Sequence, residues 1–219
     1  KLDGSVVTWG HVSAGGDSSA VRTQLIAGVQ QVASTMEAFA AVKGDGSVIT
    51  WGAADGGGDS SAVHELLTAE VQHVAGTACA FAAVKGDGSV VTWGAASQGG
   101  DSSAVRRQLA MHVQRVAGNG GAFAAVNGYG SVITWGEAES GGNSSAFRDQ
   151  LAMDVLQVTG TFGAFAALKG DGSIVTWGAG FCGGDSSAVC KQLAADVQHV
   201  VGTTGAFAAV KGDGSVVTW

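Results

Sequence analysis

Proline is absent from this 219-residue chain, against a usual share near ~5%, so its tight turns must be made by Gly, Asp, Asn and Ser. Charge is also sparse. Charged residues make up 13% with a net charge of −7, and the cations form no basic run. A nucleic-acid backbone would therefore meet mostly repulsion, and nucleic acid is not expected as a partner. No apolar run approaches the ~20 residues that a membrane-spanning helix needs, so no membrane insertion by this chain is expected. The chain opens on KLDGSVVTW with no charged-then-apolar leader. Those residues match the last quarter of a repeat that recurs through the chain, so the opening leaves the cellular compartment undetermined. The three cysteines, Cys79, Cys182 and Cys190, fall in different columns of that repeat and are not a disulfide framework that it requires. Cys182 and Cys190 flank one segment, where either a disulfide or two tolerated thiols fits.

What the chain does contain is a period. All six Trp lie 42 residues apart, at Trp9, Trp51, Trp93, Trp135, Trp177 and Trp219, and no insertion interrupts any copy. Periods of this size mark tandem arrays, in which one repeat is one supersecondary unit. Each of the first five Trp is followed by Gly, four free positions and an invariant Gly-Gly. Then comes Asp or Asn with Ser-Ser-Ala, residue types that accept free amides at a helix start. Pairs four apart, such as Val63 with Leu67 and Val105 with Leu109, give an apolar stripe on a predicted helix of about ten residues. A segment such as VQRVAG reads as a short strand. AFAAV, Lys-Gly-Asp-Gly and SVVTW then read as a hairpin around a Gly-Asp turn. Both faces of the hairpin are apolar or small, with Phe39 and Ala41 opposite Ala38, Ala40 and Val42, and Val48 and Thr50 opposite Ile49 and Trp51. Such a sheet must be covered on both sides, as a propeller blade or solenoid layer is.

The text VQHVAG followed by AFAAVKGDGSVVTWG resembles the repeat of the regulator of chromosome condensation family over about half of each copy. That resemblance implies blade-like β units. The GGDSSAV segment departs from the Gly-Gln-Leu-Gly turn common in the family, and the repeat is nearer in length to the compact blades of propeller-type β-lactamase inhibitor proteins. The expected fold is mainly β: a single tandem-repeat β-propeller-like array over 1–219, with three short strands and one short helix per 42-residue repeat. Complete units are expected at 29–51, 71–93, 113–135, 155–177 and 197–219, with an orphan strand at 1–9. Both ends then supply the same strand. That points to a piece of a longer array or ring, with a five-bladed ring carrying a surplus edge strand as the alternative.

A catalytic centre is one set of groups in one geometry, so columns repeated five times are poor catalytic candidates. No enzyme activity is expected. The Gly-Gly-Asp-Ser-Ser run could hold an anion or a serine nucleophile, but helix capping explains it. Asn143-Ser-Ser fits a glycosylation acceptor or simply another cap. A Lys-Gly-Asp-Gly turn offers one carboxylate where calcium prefers six to eight oxygens. His11, His64, His73, His112 and His199 have no ligand spacing among them. Neither a cofactor, a metal nor a small-molecule ligand is therefore expected.

The variable positions carry more information. They follow each Trp-Gly and precede each AFAAV strand, and varied loops on a repeated scaffold are where repeat proteins bind. The candidate partner contacts are His11, Met36, Glu37, Asp55, Gln98, Glu137, Glu139, Phe162 and Phe181. Phe162 and Phe181 stand out as large apolar residues in adjacent repeats. The expected function is a protein-protein interaction scaffold without catalysis. The alternatives are a structural subunit packed within a large assembly, including a membrane-associated one, or the recognition part of a larger ubiquitin-ligase-like enzyme. The family's nucleotide-exchange activity is not expected to carry over, because the loops that perform it have no recognisable counterpart.

Overall fold

In a computed structural model, which describes residues 3–219, the repeats fold as five separate three-stranded antiparallel sheets. The array divides into two compact units, Lys1–His112 and Val113–Trp219. The first unit holds β1 (Val29–Ser34), β2 (Ala38–Lys43) and β3 (Val48–Gly52), then β4 (Val71–Gly76), β5 (Ala80–Lys85) and β6 (Val90–Gly94). The second holds β7 (Val113–Gly118), β8 (Ala122–Asn127) and β9 (Val132–Gly136), then β10 (Val155–Gly160), β11 (Ala164–Lys169) and β12 (Ile174–Gly178), and finally β13 (Val197–Gly202), β14 (Phe207–Lys211) and β15 (Val216–Thr218). Each sheet is a meander in sequence order.

The faces expected from the alternation are the faces that pack. Within the first unit, Ala38, Ala40, Val42 and Val48 of one sheet join Phe81, Ala83, Val91 and Trp93 of the next in one buried cluster with Leu67, Val71 and Val74. The small face of one blade thus receives the aromatic face of its neighbour. The second unit repeats this packing twice, with Ala122, Ala124 and Val126 against Phe165, Ala167 and Trp177, and with Ala164, Ala166 and Leu168 against Phe207, Ala209 and Val217. Alanine columns are what let two sheets approach closely enough to bury rings of this size.

The Trp column supplies a long-range tie as well as bulk. Trp93 stacks on Phe81 at 5.2 Å between ring centres and donates its indole N–H to the Gly57 carbonyl at 3.0 Å. Trp51, Trp177 and Trp219 make the same bond to the glycine 36 residues earlier. That glycine is the first of each Gly-Gly pair. Gly57 has φ 93°, and a Cβ there would lie 2.7 Å from the Phe81 ring. Its neighbour Gly58 lies against the Gly52 carbonyl, where a Cβ would come within 2.5 Å. Conformation and space therefore both require the pair.

Two expectations change and one feature is new. First, the helix after Gly-Gly-Asp is a 3-10 turn, three residues long at Ser103–Val105 and seven at most, at Ser61–Leu67. Asp101 caps it by accepting the Ser103 amide, while the Ser102 hydroxyl pairs with Thr92. The serine thus ties the turn to the last strand. The buried leucine then ends the segment, and a left-handed residue (Glu70, φ 66°; Asp196, φ 67°) swings the chain into the next first strand. Second, every first strand carries a register shift after its opening valine, as between Val71 and His73. The sequence gives no signal for this bulge. Third, residues 3–9 of the expected orphan strand 1–9 join no ladder, and residues 1–2 lie outside the described residues. They are held by Val6 donating to the Leu25 carbonyl and Val29 donating to Gly4. Trp9 is consequently 83% exposed, against 4% for Trp93.

Candidate interaction surface

In a three-stranded meander the turn between the first two strands and the exit of the third lie at the same end. The variable patch before a blade's second strand and the one after its third strand, which come from consecutive repeats, therefore meet there, while the hairpin turns between the second and third strands lie at the other end. The two loops are pinned together by bonds that recur. Ala53 donates to the Glu37 carbonyl, Ala95 to Cys79, Glu137 to Gly121 and Ala179 to Gly163, each within 2.8–2.9 Å. A second pin comes from a Thr or Asn column whose role the sequence reading missed. Thr35 donates to the Gly56 carbonyl, Thr77 to Gln98, Asn119 to Ser140 and Thr161 to Cys182. The Thr hydroxyls and the Asn119 Oδ1 also accept amides of their own turn, as Thr161 does from Ala164. Thr77, Asn119 and Thr161 are buried. Recurrence of Thr or Asn just ahead of each variable pair is the sequence signal for this pin.

In the first unit, Met36, Glu37 and Asp55 are exposed on such pinned loops. The Met36 amide donates to the Ala78 carbonyl of the next turn at 2.9 Å. Burial, and then the nearby carboxylates of Glu37 and Asp55, push the Cys79 thiol above its ordinary value. That environment disfavours the thiolate. His11 is exposed, and its Nδ1 pairs with the Ser13 hydroxyl at 2.8 Å. Gln98 departs from expectation: it is only half-exposed, its backbone carbonyl serves Thr77, and its Oε1 is shielded with no hydrogen-bond partner among the described residues. It is the least available of the nine candidates.

In the second unit, Glu137 and Glu139 are exposed on the loop after β9, and Glu137 Oε2 accepts the Ser140 hydroxyl. Phe162 and Phe181, adjacent in repeat numbering, belong to loops of one and the same blade. The Ala179–Gly163 and Thr161–Cys182 bonds join those loops. Phe181 is 88% exposed at the centre of the 3-10 turn Gly180–Cys182. The turn is anchored by buried Cys182, whose Sγ lies close to Gly163. Phe162 is 48% exposed, and its ring lies over Gly120, where a Cβ would come within 2.9 Å of it. Its carbonyl accepts the Gly120 amide, and its own amide donates to Thr204.

The disulfide alternative is not realised. Cys182 is buried, Cys190 is exposed beyond the next turn, and both are free. Among the described residues no three His, Cys, Asp or Glu side chains come together as a metal site, and no helix is long and apolar enough to cross a membrane. His73 pairs with Gln31 across neighbouring first strands at 3.1 Å, and burial lowers its pKa.

This architecture is that of a tandem-repeat β-propeller-like array, and solved structures of regulator of chromosome condensation type share it. Human WBSCR16 superposes with a TM-score of 0.58 at 17% identity, over 87% of this chain and 61% of that one. Prp20p from Saccharomyces cerevisiae, described with its binding to Gsp1p and histones, gives 0.58 at 15%, over 87% and 56%. The CRINKLY WD40 ectodomain of the Arabidopsis thaliana receptor kinase ACR4 gives 0.53 at 16%, over 87% and 63%. The chain spans about three fifths of the length of these proteins. At such identities the likeness defines the fold. No protein-family model and no curated protein matches the sequence.

Proposed function

We propose that this chain is a protein-protein interaction scaffold that binds through the loop end of its blades. The observation that carries the reading is the pair Phe162 and Phe181. Two large apolar side chains stand exposed on neighbouring loops whose backbones are fixed by buried hydrogen bonds. Aromatic anchors on a preorganised base bind at low entropic cost and supply much of an interface's energy. Recognition of Gsp1p and histones by Prp20p, a protein of the same fold, supports binding as the use of such a surface. The reading is binding without catalysis, because the polar columns recur for hydrogen-bonding reasons already evident in the fold.

The test is a pull-down that compares the wild-type chain with the variant carrying Phe162→Ala and Phe181→Ala. Partner capture is expected to drop while stability stays within ~1 kcal/mol, the range of surface changes. Undiminished capture by the variant would remove these two residues from the interface.

A further inference from the structure

The loop end of the second unit has a one-sided charge. Segments 117–122, 136–143, 159–164, 178–184 and 201–206 contain Glu137 and Glu139 and not one Lys or Arg. The cations of the unit lie elsewhere: Lys169 and Lys211 at the far ends of β11 and β14, Arg115 within β7, Arg148 and Lys191 after the 3-10 turns. From Ala164 at the loop end to Lys169 at the hairpin end, β11 covers ~17 Å. That exceeds the screening length of ~10 Å at ordinary salt, so the chain's own hairpin lysine does not neutralise the two exposed carboxylates.

Glu137 lies beside Phe162. Phe162 is bonded to Gly120 and covers it, and the next residue, Gly121, accepts the amide of Glu137 and lies against its side chain. Glu137 is held by Ser140 rather than swinging freely. A fixed carboxylate next to an exposed phenyl face suits one kind of side chain. Arginine can stack its planar guanidinium on the ring, lay its methylenes along it and satisfy the carboxylate. An acidic or purely apolar segment would leave Glu137 and Glu139 desolvated without a counter-charge.

We infer that the partner of the Phe162–Phe181 surface presents a cationic, arginine-bearing segment, which the aromatic rings hold by stacking and Glu137 and Glu139 hold by charge. This rests on the loop-end reading of function and specifies its partner. The probe is a short fluorescein-labelled peptide alternating arginine and glycine, with a glutamate-for-arginine version as its counterpart, followed by fluorescence anisotropy. The arginine peptide is expected to bind saturably, and more weakly as salt rises from about 50 to about 300 mM. Glu137→Gln with Glu139→Gln should weaken it about fivefold at low salt. Phe162→Ala with Phe181→Ala should weaken it about tenfold. Equal affinity for the glutamate peptide, or no change with the glutamine pair, overturns the cationic partner. If the glutamine pair also captures protein as the wild type does while the alanine pair does not, the loop-end reading stands and only the charge assignment falls. If the alanine pair changes neither assay, both fall.

Discussion

Trp9 and Trp93 occupy the same repeat column in the same unit, yet replacing them with alanine should have very unequal consequences. Trp93 is 4% exposed, stacks on Phe81 and donates to Gly57. Truncation opens a cavity between two blades at ~3–5 kcal/mol. Part of that is the ~1–3 kcal/mol of leaving a buried carbonyl unpaired, and Trp93→Phe should forfeit mainly this part. Trp9, at 83% exposure, should lose no more than ~0.5 kcal/mol. With a urea m-value of about 2 kcal/mol/M, Trp93→Ala should lower the unfolding midpoint by ~1.5–2.5 M and Trp9→Ala by under ~0.3 M. Urea titration followed by far-UV circular dichroism reads both. Equal shifts for the two variants would refute the claim that burial between blades, rather than membership of the column, sets the value of each Trp.

Two glycines of positive φ, Gly57 and Gly10, offer a second comparison. Gly57→Ala forces φ 93° on a side chain and drives a Cβ to 2.7 Å from Phe81, so it should cost more than ~2 kcal/mol. Gly10→Ala, at φ 118° with nothing within 4 Å, carries only the backbone penalty of ~1–2 kcal/mol, and thermal melts should rank them so. Acid should also destabilise the array through its turns. The hydroxyl and then the amide of the following serine hold Asp45, Asp87, Asp171 and Asp213 below the ordinary carboxylate pKa. A depressed folded pKa gives stability that is complete above the unfolded value near ~3.9 and is lost as pH falls through the folded value. The melting temperature should therefore fall below about pH 4, and Asp87→Asn with Asp171→Asn should flatten that fall; an unchanged acid limb would exclude those two turns as its source.

Much of the array was legible because its determinants are local. A two-residue alternation decides which face Ala38 and Phe39 take, and a Gly-Asp turn decides where AFAAV reverses into SVVTW. The short helix was overread. The spacing of Val105 and Leu109 fits a helix of any length, whereas Asp101 and Ser102 spend their side chains on a single turn and on Thr92. The candidate surface was legible as a set of variable positions but not as a geometry. That the loops bearing Phe162 and Phe181 are neighbours follows from the meander returning its third strand to the end where the first turn lies. Gln98 shows the converse, since a variable position can still turn inward.

The amino-acid sequence by itself determined the repeat, its strands, the faces they bury and the scarcity of cations at the loop end, because each follows from side chains a few residues apart. Only the tertiary structure decided which Trp are core, which carbonyl each indole finds 36 residues away and which loops share a base. Those outcomes depend on whether a neighbouring blade is there to supply the other half of the contact, and identical columns carry no record of that.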